Sequence, residues 1–163
     1  MGSDSDLETM KDAAKILLEF GVESEISILS THRVPQETSK YAKEALSKGI
    51  KVLIAGAGGA AALAGSLASH TPLPVIGVPI ETKSLSGFDS LFSTVSMPPG
   101  IPVATVAIGG AKNAGILATQ ILATSDAKLA QKIEKYKKNI KNEVLLKNTK
   151  LHELGWEKYL KQK

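Results

Sequence analysis

Residues 50–59 read Ile50-Lys51-Val52-Leu53-Ile54-Ala55-Gly56-Ala57-Gly58-Gly59, an aliphatic run that stops in glycine, and the fold follows from them. A short apolar run bounded by turn residues reads as a strand buried on both faces. The run Ile50 to Ala55 is such a strand, and the loop Gly56-Ala57-Gly58-Gly59 turns it into an alanine-rich helix. A second aliphatic run, Val75-Ile76-Gly77-Val78, follows that helix and ends at Pro79. Strand, glycine loop, helix, strand is a crossover unit, and crossovers join parallel strands.

Toward the N-terminus, Gly49 closes a helix that Pro35 is well placed to open. Before it, Val22, Ile26 and Ile28 recur at even spacing, as in a strand ending near Ser30. Before that, Leu7, Met10, Ala13, Ala14, Leu17 and Leu18 lie at helical spacing, and Gly21 supplies the stop. Toward the C-terminus a loop and a helix lead to a further strand at Ile101 to Ala107, then a helix over 111–123. Asp126 caps a long helical tail. Together these predict an α/β fold: a three-layer doubly wound parallel sheet, flavodoxin-like or Rossmann-like, with a C-terminal helical tail. Residues 1–125 form the α/β domain and 126–163 its helical extension, a single domain overall. One feature fits poorly: Gly2-Ser3-Asp4-Ser5-Asp6 has only Met1 before it, where a doubly wound sheet wants a strand. Either the sheet opens one strand short, or the sequence lacks residues that the natural protein has.

Composition narrows the function. The chain has 163 residues and no cysteine, so thiolate catalysis, disulfides and thiolate metal sites are excluded. No apolar run approaches the roughly 18 residues that span a bilayer, and the start MGSDSDLETMKD lacks a secretory pattern. A cytoplasmic protein without membrane partners is expected. The net charge of +4 is unevenly placed, since residues 126–163 hold 11 Lys against 5 acids. The basic surplus therefore lies on the tail, as a solvated or subunit-facing surface, and no nucleic-acid partner is expected.

Ligands of open parallel sheets bind beyond the carboxyl ends of strands, so the loops 1–6, 30–35, 56–65, 79–87 and 108–112 are where chemistry is sought. Arg33 is the only arginine among 20 basic residues. A guanidinium grips phosphate or carboxylate in two parallel hydrogen bonds, which lysine does not reproduce. The plainer role is a salt bridge to a nearby acid. His32 stands beside it behind Ser30 and Thr31, and imidazole is the side chain best matched to proton transfer near neutral pH. His70 and His152 lie off this rim and read as structural. The opening Ser3-Asp4-Ser5-Asp6 runs into a helix, where free N–H groups attract phosphate, although the same residues serve as ordinary caps. The 56–59 loop would admit a ligand close to backbone. No acid follows at the end of the next strand, which counts against NAD, and no GxxxxGK[ST] motif points to an ATPase. No cluster of His, Asp and Glu at ligand spacing suggests a metal.

These residues together resemble a known family. GSDSD at 2–6, S-T-H-R-x-P at 30–35, AGAGGAA at 55–61, LPVIGVP at 73–79, L-x-G-x-D-S-L-x-S at 85–93 and MPxGIPVATVAI at 97–108 resemble class I N5-carboxyaminoimidazole ribonucleotide mutase. The resemblance implies an isomerase of de novo purine synthesis. It moves a carboxyl group from an exocyclic nitrogen to C4 of an aminoimidazole ribonucleotide, with no metal and no cofactor. It implies His32 as the catalytic proton shuttle, with Ser3 and Asp6 binding substrate and Asp6 near the ribose. Arg33 and Ser30 would meet the phosphate, with Gly56, Gly58, Gly59 and Leu63 around the imidazole and carboxylate. It also implies a homo-octamer in which the tail packs on neighbouring subunits. Two positions depart from the frequent family pattern: Ala62 stands where many members have histidine, and Ala64 where they have proline. The second change loosens the loop, because proline restrains itself and its predecessor. Two other readings are compatible with the residues: a carboxylase acting directly on aminoimidazole ribonucleotide, and a non-catalytic nucleotide-binding module.

Overall fold

The computed structural model describes residues 1–162. Its elements in chain order are α1 (Leu7–Phe20), α2 (Pro35–Ala45), β1 (Leu53–Ala57), α3 (Leu63–Ala68), β2 (Val75–Pro79), α4 (Phe88–Val95), β3 (Ala104–Thr105), α5 (Ala111–Ala123) and α6 (Ala127–Lys161). A single turn of 3-10 helix over Asp4–Asp6 leads into α1. The strands are parallel in the order β1-β2-β3, so every connection is a crossover carrying a helix.

Alternation along the strands sets the layers. Leu53, Ala55, Ala57 and Val75 point to one face and pack with Ala42 and Ala45 of α2 and with Leu63, Ala64 and Leu67 of α3. Ile54, Ile76 and Val78 point to the other, against Met10, Ala13 and Leu17 of α1 and Ala111, Ala114 and Ala118 of α5. Helices therefore cover both faces, as the doubly wound reading requires. Each large aliphatic buried this way contributes roughly 1.5–3 kcal/mol. A third cluster joins α6 to the body: Leu129 and Ile133 pack on Ile16 and Phe20, and Tyr136 meets the Phe20 ring edge-on at 5.3 Å.

Three expectations about strands need correction. Residues 22–30 run extended but carry no ladder. Among the described residues their backbone partner on the sheet side is residue 1 alone: Leu29 N–H donates to the Met1 carbonyl at 2.8 Å, and the Met1 ammonium donates to the Ser27 carbonyl at 2.8 Å. A largely apolar groove of about 490 Å³ separates segment 22–29 from residues 50–54. Strand geometry without a neighbour to bond does not make a strand, whatever the side-chain spacing. Residues 50–52 likewise precede the ladder, because β2 begins at Val75, the partner of Leu53. Gly56 and Ala57, expected in the loop, continue β1 opposite Val78 and Pro79. The segment 101–107 is a ladder only at Ala104 and Thr105, as an edge with β2 on one side.

Candidate active site

The strand-exit loops converge. Beyond the ends of β1 and β2 lies a cleft of about 420 Å³, walled by residues from 2–6, 30–33, 57–63 and 80–82. Each wall is held by local chemistry.

The opening loop is anchored where Gly2 N–H donates to the Gly56 carbonyl at 3.0 Å. The following turn is closed by a capping box: Ser3 Oγ accepts from Ser5 N–H, and Ser3 N–H donates to Asp6 Oδ2 at 3.0 Å. This box satisfies donors that a helix start leaves free. Asp6 is buried, at 7% exposure, yet its carboxylate borders the cleft. The 30–33 turn is made by the Ser30 carbonyl, which accepts from Arg33 N–H at 3.1 Å and Val34 N–H at 2.8 Å. Thr31 Oγ1 donates to Ser66 Oγ at 2.7 Å, tying the turn to α3. Pro35 then starts α2, with its fixed φ at the first helical position.

That turn leaves His32 and Arg33 on the exposed rim. Among the described residues neither side chain has a hydrogen-bond or ion-pair partner, so the salt-bridge role for Arg33 is not what the fold uses. An imidazole and a guanidinium therefore stand uncommitted at the mouth of a cleft whose walls also carry Asp6, Glu81, Ser3, Ser5, Ser30 and Thr82. Such a rim can bind an anion bidentately and move a proton beside it.

The cleft contains Ser3, Asp6, Ser30, His32, Arg33, Gly58 and Leu63 of the expected set. Gly56 and Gly59 are not in its lining. A Cβ on Gly56 would come within 2.4 Å of Met10 Sδ, so this glycine serves the approach of α1 to β1. Gly59 has φ +66 and gives its N–H to Ser90 Oγ at 2.9 Å. Ala62 lines the cleft, so a methyl group stands where the family resemblance expects a frequent histidine. Reading residues for chemistry missed Thr31, Ile80, Glu81 and Thr82; only their place on strand-exit loops could have marked them. His70 lies outside, its Nδ1–H donating to the Ser66 carbonyl at 2.8 Å. Among the described residues no group of three or more His, Asp or Glu could hold a metal ion.

Known proteins are similar to this chain. The sequence model of the family described as AIR carboxylase matches residues 1–143. The N5-carboxyaminoimidazole ribonucleotide mutase of Thermotoga maritima is 58% identical over 163 residues, covering 100% of this chain and 95% of that protein. The phosphoribosylaminoimidazole carboxylase of Schizosaccharomyces pombe is 55% identical over 98% of this chain, which spans 29% of that longer protein. Among solved structures, Treponema denticola PurE superposes with a TM-score of 0.85 at 30% identity, covering 93% of this chain and 94% of that one.

Proposed function

This chain belongs to the AIR carboxylase family, and on that premise we propose that His32 and Arg33 serve a carboxyl transfer on an aminoimidazole ribonucleotide bound in the cleft. The chain acts as an N5-carboxyaminoimidazole ribonucleotide mutase of purine synthesis, the activity named for its full-length relatives. The observation that carries the site is the convergence of segments 2–6, 30–33, 57–63 and 80–82 on one hollow of about 420 Å³. That volume lies within the range of roughly 300–1,000 Å³ typical of small-molecule sites.

The chemistry asks for retention of CO2 and movement of one proton. The carbamate C–N bond breaks, CO2 leaves, and the exocyclic nitrogen takes a proton. C4 then attacks the trapped CO2, forms the new C–C bond and gives up its own proton. His32 delivers the first proton and accepts the second, so the reaction is a net isomerisation. Arg33, with Ser30, holds the phosphate, and Asp6 with Ser3 meets the ribose side. Gly58 and Leu63 wall the ring. Positioned acid–base groups contribute about 10²–10⁴-fold, and holding CO2 against carbon adds an effective-concentration gain of its own.

His32→Asn should retain substrate binding by calorimetry while losing about 10²–10⁴-fold in turnover. Arg33→Lys keeps the charge but not the fork, and should raise KM with kcat little changed. Normal turnover by both variants would sink the assignment of the site. The direct carboxylase is separated by assay without ATP. Conversion of aminoimidazole ribonucleotide plus bicarbonate as fast as the carbamate route would replace the mutase reading. Binding without turnover in either assay would leave a nucleotide-binding module.

The same reading extends to assembly and place. The protein works in the cytoplasm as a homo-octamer, with residues 1–125 as its catalytic domain and 126–163 as an extension against neighbouring subunits. Supporting this, the distal part of α6 exposes Val144, Leu145, Leu146, Trp156 and Leu160, with Leu146 at 70% and Trp156 at 66% exposure. A helix with that much open apolar surface is better explained by a partner than by solvent.

A further inference from the structure

The D-S-L-x-S stretch at 89–93 has no part in the chemistry above, yet one helical turn of it grips both loops that form the inner wall of the cleft. Ser90 is fully buried, at 0% exposure, and spends both of its hydrogen-bonding capacities outside its own helix. Gly59 N–H donates to Ser90 Oγ at 2.9 Å, and Ser90 O–H donates to the Ile80 carbonyl at 2.7 Å. Asp89 accepts the Thr82 hydroxyl with both oxygens, at 2.8 and 3.0 Å. Ser93 Oγ donates to the Asp89 carbonyl at 2.8 Å and reaches the Gly59 carbonyl at 3.4 Å. One hydroxyl therefore bridges the loop after β1 to the loop after β2.

The loop after β1 needs such a hold. Gly59 has φ +66, and Ala61, which carries a side chain, has φ +28. A non-glycine residue in that region costs on the order of 1–3 kcal/mol and persists only where its surroundings impose it. Within the loop only a 3.3 Å bond from Ala61 N–H to the Gly58 carbonyl closes the turn.

We propose that Ser90 is a positioning residue of the active site: by bonding Gly59 N–H and the Ile80 carbonyl at once, it sets the spacing and orientation of the Gly58–Leu63 and Ile80–Thr82 walls between which substrate lies. The proposal rests on the assignment of the cleft as the active site. Misplacing a wall by about an ångström at a site of this kind costs up to about 100-fold in rate.

The test compares Ser90→Ala with Thr94→Val. Thr94 is also buried, but its hydroxyl donates only to the Ser90 carbonyl one turn back, at 2.7 Å, and touches neither wall. Amide exchange at Gly59, read by NMR, reports the clamp independently of any chemistry; kcat and KM report its consequence. Ser90→Ala should speed Gly59 exchange at least tenfold and lower kcat/KM by about 10–100-fold, chiefly through kcat. Thr94→Val should leave the exchange and kcat/KM within twofold. Should Ser90→Ala fail to fold, the exposed Ser93→Ala tests the same loop and should move both readouts in the same direction by less. Unchanged Gly59 exchange overturns the proposal. So does fast exchange with normal kcat/KM in a protein whose His32→Asn variant is inactive. If His32→Asn is fully active, the site assignment fails and takes this inference with it.

Discussion

One carboxylate does two things at Asp6. Its Oδ2 accepts Ser3 N–H and so closes the capping box, while the group as a whole borders the cleft. The two roles separate by substitution. Asp6→Asn keeps an acceptor for Ser3 and should melt close to the parent, whereas Asp6→Ala loses the cap and about 1 kcal/mol. Both should raise KM about tenfold, the loss of one charge-assisted hydrogen bond to substrate. Thermal melts and steady-state kinetics on the same samples check this, and equal melting losses in the two variants would assign the stability to charge rather than to the cap. Arg33 and His32 were legible at this scale because their types are rare in the chain and chemically suited to the rim. Glu81 and Thr82 were not, because nothing in an isolated acid and threonine distinguishes a cleft wall from a solvated loop.

Between elements, α1 packs tightly against α5. A Cβ on Gly115 would lie 2.4 Å from Ile16 Cγ2 and 2.9 Å from the Ala13 carbonyl oxygen, and the latter, being backbone, does not step aside. In an isolated helix Gly→Ala gains about 1 kcal/mol. Here overpacking costs typically about 1–3 kcal/mol and should outweigh that gain. Gly115→Ala should lower Tm by a few degrees, and an unchanged or raised Tm would refute the contact. The extended segment 22–30 is secured differently, by Tyr41 of α2 donating its hydroxyl to Glu25 at 2.7 Å. Burial, with the Glu25 hydrogen bond and charge added, pushes the Tyr41 phenol from its ordinary 10 up to about 12. A group raised on folding stabilises fully below its unfolded pKa and loses that contribution as pH climbs through the folded one. The protein should therefore lose stability between pH 10 and 12, modestly because the ring is half-exposed. Tyr41→Phe should flatten part of that decline in melts taken across the alkaline range.

At the scale of the molecule, α6 joins the body through Leu129, Ile133 and Tyr136 and then leaves it, running on to Lys161 with a break in helical geometry at Gly155. A helix that packs on nothing is marginal in water. Truncation after Asn139 should therefore leave a cooperatively melting core while lowering the assembly mass in sedimentation; an unchanged mass would remove the tail from the proposed interface. What the amino-acid order determined unaided was the six helices α1 to α6, the three strands β1 to β3 in their order among them, and the loops on which Ser3, Asp6, His32 and Arg33 sit. Side-chain periodicity and turn chemistry are local properties, and a strand-to-helix alternation has few ways to fold. Only the tertiary structure decided that Gly56 belongs to β1, that residues 22–30 form no ladder, and that Ser90 holds Gly59 from 31 positions away. Those outcomes depend on which groups meet in space, and hydrogen bonds between distant segments leave no periodicity in the chain that makes them.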